Sequence, residues 1–129
     1  MKIEHIALWT SDIGRSKEFY EKYFLFTAGD KYRNAKTGFE SFFLALGTGP
    51  RLELMHMDHI PENLGGFKER HIGLVHFAVS VGSRDKVLEI TEKLRKDGFV
   101  VAGEPRDTGD GYFESCVLDP DGNRIEITI

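Results

Sequence analysis

An internal repeat is the feature that most constrains how this chain can fold. The tetrapeptide at 5–8 (His-Ile-Ala-Leu) is matched 71 positions later by the tetrapeptide at 76–79 (His-Phe-Ala-Val). The tripeptide at 52–54 (Leu-Glu-Leu) is matched 73 positions later at 125–127 (Ile-Glu-Ile). Two near-equal offsets within 129 residues predict two similar modules related by an approximate twofold axis. Each module supplies one His and one Glu.

The hydrophobic pattern predicts the same order of elements, βαβββ, in both modules. In module one, about 1–57, a helix at 13–24 follows a capping Ser11 or Asp12. The strands of this module are predicted at 2–10, 27–33, 39–46 and 51–57. In module two, about 72–129, a helix at 83–97 is closed by Gly98. Its strands are predicted at 72–81, 99–102, 112–118 and 124–129.

The segment 58–71 between the modules is predicted to be a surface linker. It contains Pro61, Gly65 and Gly66, with a short helical turn expected near Phe67. A length of 129 residues and a hydrophobic content of 40% fit one domain over 1–129. We therefore expect the two modules to form a single domain.

Charge and hydropathy exclude several classes of partner. The net charge is −4 with no basic patch, so nucleic acid is not an expected partner. No apolar run approaches the roughly 20 residues of a membrane-spanning helix, and Met1 leads directly into a strand-like segment without a signal peptide. We expect a cytoplasmic protein without membrane association. Cys116 is the sole cysteine, so an internal disulfide is excluded and any metal must use His and carboxylate ligands.

Four residues in the repeated strands are the candidate ligands: His5, Glu53, His76 and Glu126. Each lies in a strand-like run with apolar neighbours, where a carboxylate is costly unless it is paired or metal-bound. If the first and last strands of each module pair, each His becomes a cross-strand neighbour of a Glu. Two imidazoles and two carboxylates suit zinc, nickel, cobalt, manganese or ferrous iron. The pattern predicts one divalent metal ion, with coordination positions left for a small-molecule substrate.

Each of these residues also has a structural interpretation. A single strand His is more often a hydrogen-bonded structural residue, and a single strand Glu usually faces solvent. Recurrence of the same residue types at the same module positions favours the metal site. The remaining histidines, His56, His59 and His71, lie near the linker and are expected to be exposed or to pack.

The motifs resemble those of the vicinal oxygen chelate superfamily, which includes glyoxalase I, bleomycin and fosfomycin resistance proteins, extradiol dioxygenases and methylmalonyl-CoA epimerase. The resemblance covers the whole chain. Its motifs lie at 3–8 (Ile-Glu-His-Ile-Ala-Leu), 16–20, 75–79 and, most specifically, 113–126. It implies an α+β fold in which two tandem βαβββ modules form a curved mixed sheet around a metal-binding cleft. It also implies a homodimer.

The His/Glu/His/Glu set is most similar to that of glyoxalase I and some epimerases. This resemblance implies a divalent-metal-dependent lyase or isomerase that acts on a small substrate with vicinal oxygens through a metal-stabilised enediolate. Glu126 is our preferred catalytic base, with Glu53 as the alternative. Extradiol dioxygenases and fosfomycin transferases use two His and one carboxylate, so the additional Glu argues against those branches.

Two alternatives remain within the same fold: a ligand-binding or resistance-type protein without glyoxalase activity, and an enzyme similar to methylmalonyl-CoA epimerase. Glyoxalase I typically carries an arginine four residues after its first ligand His, where this chain has Trp9. Glutathione recognition is therefore not implied. Trp9 and Met55 are predicted to line an apolar wall beside the substrate, with ordinary packing as the alternative.

Overall fold

The computed structural model describes residues 1–62 and 72–129. The chain divides into two compact units, Met1–Asn63 and Leu64–Ile129. This division falls within the predicted linker 58–71. The helical turn expected near Phe67, and His71, lie outside the described residues. The single-domain organisation stays a prediction.

The first unit is a mixed sheet with one helix. Its elements are β1 (His5–Trp9), α1 (Ile13–Phe24), β2 (Thr27–Ala28), β3 (Tyr32–Arg33), β4 (Glu40–Ala45) and β5 (Arg51–His56). The strand order is β1-β5-β4-β2, and β3 also pairs with β4. The first and last strands, β1 and β5, are parallel neighbours, whereas the other pairs are antiparallel.

The second unit repeats this arrangement. Its elements are β6 (His76–Ser80), α2 (Arg84–Lys96), β7 (Val101–Asp107), β8 (Phe113–Leu118) and β9 (Arg124–Thr128). The strand order is β6-β9-β8-β7, and β6 and β9 are again parallel. The α+β class with two tandem βαβββ modules is therefore confirmed.

Both helices begin at capping residues that lie 71 positions apart. The carboxylate of Asp12 accepts a hydrogen bond from the backbone N–H of Arg15 at 2.9 Å, and the hydroxyl of Ser83 accepts one from Lys86 at 3.3 Å. The predicted span 13–24 of α1 is confirmed, whereas α2 begins one residue after its predicted start because Ser83 is the N-cap. The repeat thus extends to the helix starts.

One face of each sheet forms the core. In the first unit α1 packs on β4 and β5, and in the second α2 packs on β7, β8 and β9. Leu52 and Leu54 are buried on either side of Glu53, and Ile125 and Ile127 are buried on either side of Glu126. Because side chains alternate along a strand, each glutamate lies on the face opposite its buried neighbours. That opposite face carries the candidate ligands.

Four predicted strands differ from the structure by more than one residue. The strand predicted at 27–33 is divided into β2 and β3, and the interruption begins at Gly29, whose N–H donates to the carbonyl of Phe43 at 2.9 Å. The strands β1 and β6 begin at His5 and His76, later than predicted. In contrast, β7 extends to Asp107 rather than ending at 102, with register irregularities around Gly103. Pro105 lies in the middle of β7, and because a proline within a run argues against a strand, the sequence pattern does not predict this extension.

Among the helices of the described residues, none is both long enough and apolar enough to span a membrane.

Candidate metal centre

The second unit brings His76 and Glu126 together. His76 is the first residue of β6 and Glu126 the third of β9. Their strands are parallel, and Ala78 is the direct partner of Glu126. His76 lies two residues before Ala78 and so points to the same face. Nε2 of His76 lies 3.1 Å from Oε2 of Glu126.

The first unit repeats this pair. His5 is the first residue of β1, and Ala7 is the direct partner of Glu53 in β5. Nε2 of His5 lies 3.7 Å from Oε2 of Glu53. The side-by-side packing expected for the first and last strands is thus present in both modules. Each predicted His–Glu pair occupies the same strand positions in its own unit.

An identical backbone contact holds the register behind each pair. The N–H of Thr10 donates to the carbonyl of Met55 at 2.8 Å, and the N–H of Val81 donates to the carbonyl of Thr128 at 2.8 Å. Each bond lies just past the end of the first strand and two residues after the glutamate. The relative placement of His and Glu is therefore set by the same ladder in the two halves.

The donor atoms of each pair fit a divalent ion. Two ligand atoms at about 2.0–2.2 Å from a metal are about 2.8–3.6 Å apart, for angles between those of octahedral and tetrahedral coordination. The separation of 3.1 Å in the second unit lies in this range, and the 3.7 Å in the first is slightly wider. Among the described residues, no three His, Cys, Asp or Glu side chains are grouped closely enough to hold a metal. The structure therefore brings the four predicted ligands together as two pairs.

The neighbours of the two glutamates differ. Glu53 is flanked in the sheet by Ala7 and Phe43, and the ring of Phe43 contacts the His5 ring edge-on at 5.4 Å between centroids. The guanidinium of Arg51 also stacks on this Phe43 ring, at 4.1 Å from its centroid. The Phe43 ring therefore contacts both His5 and Arg51 beside the first His–Glu pair.

Glu126 is flanked instead by Ala78 and Cys116. Burial raises the pKa of the Cys116 thiol, an effect that the charge of nearby Arg124 partly opposes. A buried thiol with a raised pKa is a poor nucleophile. Cys116 is buried in β8.

Two residues near His5 were missed by the sequence reasoning. The carboxylate of Glu4 contacts Nδ1 of His5, and Nε of Arg51 donates to Oε1 of Glu4 at 2.8 Å. Hydrogen bonds from His5, and then from Arg51, hold the pKa of Glu4 below its ordinary value. Adjacency of Glu4 to His5 was the available signal. The role of Arg51 depends on the parallel pairing of β1 with β5, which no local pattern reveals.

Trp9 and Met55 are direct partners across β1 and β5, on the same face as His5. The Trp9 ring is 41% exposed and meets Phe39 edge-on at 6.0 Å between centroids. Tyr32 also contacts Phe39, with 6.2 Å between the ring centroids. These residues form an accessible aromatic and thioether surface beside the first His–Glu pair.

The other described histidines have separate surroundings. Nδ1 of His56 donates to the carbonyl of Thr10 at 3.0 Å, which ties the end of β5 to the end of β1. His59 is exposed in the turn after β5. Neither is grouped with the candidate ligands, in agreement with the packing and exposed roles expected for them.

The sequence matches the family model of the Glyoxalase/Bleomycin resistance protein/Dioxygenase superfamily over residues 2–127. The chain belongs to this superfamily. The resemblance inferred from the motifs is thereby confirmed across both modules. No curated protein matches the sequence significantly.

Several solved structures of this superfamily share the fold. A trypanothione-dependent glyoxalase I from Leishmania major is 23% identical, with a TM-score of 0.78 over 99% of this chain and 86% of that one. Glyoxalase I from Zea mays is 21% identical, with a TM-score of 0.80 over 98% of this chain and 44% of that one. A possible glyoxalase from Bacillus cereus is 28% identical, with a TM-score of 0.70 over 100% of this chain and 99% of that one.

Proposed function

We propose that this chain is a divalent-metal-dependent lyase or isomerase, similar to glyoxalase I, that acts on a small molecule with adjacent oxygens. The observation that carries the proposal is the repeated His–Glu pair, at 3.7 Å in one unit and 3.1 Å in the other, on matching strand positions. One ion would be held by His5, Glu53, His76 and Glu126, within one chain or across a homodimer.

The charge and donor types of the four side chains support a divalent ion. Two neutral imidazoles and two carboxylates compensate a charge of +2, and they supply the nitrogen and oxygen donors that zinc, nickel, cobalt, manganese and ferrous iron accept. Such an ion would supply Lewis-acid stabilisation of negative charge that develops on a substrate oxygen.

The proton transfer falls to a carboxylate. Glu126 would take the proton from the hydroxyl-bearing carbon and deliver it to the neighbouring carbonyl carbon, while the hydroxyl proton passes to the former carbonyl oxygen, so that the hydroxyl and carbonyl groups exchange places. Glu53 is the alternative base because it occupies the equivalent position in the first unit. His5 and His76 would serve as nitrogen donors, and neither moves a proton in this scheme.

Trp9 and Met55 would contact the apolar part of the substrate. They lie on the same sheet face as His5, and the exposed area of Trp9 is available for such a contact. An arginine that could hold the carboxylate of glutathione is not present at position 9, where this chain has Trp9, so glutathione is not proposed as part of the substrate.

Metal binding is the first test. Protein stripped of metal with a chelator should bind zinc or nickel in calorimetry, with one ion at each site. An ion concentration of about 100 times the dissociation constant should stabilise the fold by about 2.7 kcal/mol. Replacing His76 by Ala should abolish this stabilisation. An unchanged melting temperature in excess of all five candidate ions would contradict the proposal.

The base assignment is tested by Glu126→Gln, which keeps the shape of the side chain and removes its charge. Turnover of hemithioacetals of methylglyoxal, or of epimeric acyl-thioesters, should be lost while the circular dichroism spectrum is unchanged. The matched variant Glu53→Gln separates the two carboxylates, and Glu92→Gln on the exposed surface of α2 is the control. Full activity of Glu126→Gln would exclude Glu126 as the base.

The exposed aromatic surface favours a second candidate, a ligand-binding or resistance-type protein of the same superfamily. Trp9, Phe39 and Tyr32 present a cluster of contacting aromatic rings, edge-on or tilted, that could hold a flat ligand without any chemistry. Quenching of Trp9 fluorescence by a ligand in metal-free protein, with no turnover after metal addition, would support this candidate over the enzyme.

A further inference from the structure

Among the described residues, one histidine of the candidate site contacts a second carboxylate and the other does not. Oε2 of Glu4 contacts Nδ1 of His5, while Nε2 of the same ring faces Oε2 of Glu53 at 3.7 Å. Arg51 holds Glu4 in turn, since its Nε donates to Oε1 of Glu4 at 2.8 Å. The backbone N–H of Arg51 also donates to the carbonyl of Glu4 at 3.0 Å. The chain of contacts runs from Arg51 through Glu4 and His5 to Glu53.

Within residues 72–129, the described part of the second unit, this arrangement is absent. The residue before His76 is Val75, at the position equivalent to Glu4. The arginine is retained, because Arg124 is the direct partner of His76 in the same way that Arg51 is the direct partner of His5. The repeat therefore preserves the candidate ligands and the arginine, and it differs at position 4, where Glu4 contacts Nδ1 of His5.

The contact has a defined chemical consequence. An ionised carboxylate accepts hydrogen bonds and donates none, so the proton between Glu4 and His5 belongs to Nδ1. A neutral imidazole protonated at Nδ1 carries its lone pair on Nε2. In His5 that is the atom directed toward Glu53. Carboxylates that bind the far nitrogen of a ligand histidine orient the ring and increase its basicity.

We propose that Glu4 is a positioning residue that holds His5 as the Nδ1–H tautomer with Nε2 presented for metal binding, and that Arg51 holds Glu4 in place. This inference rests on the proposed function for its consequence in metal affinity. With Glu4 in contact, the first His–Glu pair is preorganised for metal binding, whereas His76 must adopt its ligand tautomer without a carboxylate at position 75.

The first readout needs no metal. Long-range proton–nitrogen correlation spectra of metal-free protein, recorded at about pH 9 where imidazoles are neutral, report which nitrogen of His5 carries the proton. Wild type should show His5 as the Nδ1–H form, and Glu4→Ala should shift it toward the Nε2–H form that predominates in free histidine. Glu4→Gln retains an oxygen acceptor and should restore the Nδ1–H form. Glu18→Ala on the exposed surface of α1 is the control for loss of charge.

The second readout is metal affinity, measured by competition with a chromophoric chelator. Glu4→Ala should weaken zinc binding by about 10–100-fold, the range typical for loss of an outer carboxylate, and Glu4→Gln should recover most of it. An unchanged His5 tautomer in Glu4→Ala, or unchanged zinc affinity, would overturn the proposal. If wild type binds no zinc while Glu4→Ala still changes the tautomer, the proposed function fails and the positioning of His5 by Glu4 stands.

Discussion

Nε2 of His76 lies 3.1 Å from Oε2 of Glu126, although the direct strand partner of Glu126 is Ala78. The small methyl group of Ala78 leaves the carboxylate accessible from the sheet face. The same relationship recurs in the first unit, where Ala7 is the partner of Glu53. An alanine beside each glutamate is therefore part of what allows the His and Glu side chains to meet.

Filling this space should separate the pair. We expect Ala78→Leu to weaken metal binding and turnover on the order of 10-fold or more, because a displaced ligand loses its alignment. Ala78 is exposed in β6, so the larger side chain does not overfill the core. Calorimetry with zinc measures the effect, and Ala45→Leu at an exposed position of β4 is the matched control. Equal metal affinity in Ala78→Leu and wild type would contradict this role.

A buried pair of hydroxyls connects α2 to β8. Oγ1 of Thr91 donates to the carbonyl of Val87 at 2.6 Å and lies 2.7 Å from Oγ of Ser115. Ser115→Ala removes one hydrogen bond in the core and should destabilise the protein by about 1 kcal/mol. Urea unfolding measures the loss, and Ser80→Ala at an exposed position should be near neutral. A stability loss as large in Ser80→Ala would show that the buried contact is not the cause.

The end of α1 should gain stability from a glycine. Leu25 is exposed and adopts the left-handed conformation with φ 58°, which is unfavourable by about 1 kcal/mol or more for a residue with a Cβ. We expect Leu25→Gly to raise the free energy of unfolding by up to about 1 kcal/mol. At the end of α2, Gly98 has φ 89°. Gly98→Ala should therefore lower stability, and a loss in Leu25→Gly would show that packing by Leu25 outweighs its backbone strain.

The ion pair between Lys17 and Glu21 should make stability depend on acidity. Nζ of Lys17 lies 2.8 Å from Oε2 of Glu21, and this hydrogen bond, more than the one from the N–H of Ala28, lowers the pKa of Glu21 from 4.5. A lowered folded-state pKa stabilises the fold above the unfolded pKa, and the contribution is lost as the pH falls through the folded value.

Glu21→Gln should therefore be less stable than wild type at pH 7 by less than about 1 kcal/mol, as is typical of partly exposed pairs. The difference should decrease below pH 4.5 and vanish in stronger acid. Urea unfolding across this range measures it, with Glu18→Gln on the same helix as the control. A difference that is constant with pH would exclude the titration of Glu21 as its origin.

The amino-acid sequence by itself determined the repeat, the fold class and the identity of the four candidate ligands. These depend on short-range signals. Alternation of apolar and polar residues predicts strands, and Ser11 or Asp12 predicts the start of the first helix, because capping is a contact between residues about three apart. The four candidate ligands were identified because His and Glu recur at nearly equal spacing from each other in both halves.

Only the tertiary structure decided how those residues meet. The parallel pairing of β1 with β5 joins residues more than forty positions apart in the chain, and it places Arg51 against Glu4 and Glu53 opposite Ala7. The division of the strand at 27–33 and the extension of β7 past Pro105 likewise follow from pairing with a neighbouring strand. Register between distant strands is set by hydrogen bonding and packing in the assembled sheet, which local patterns do not encode.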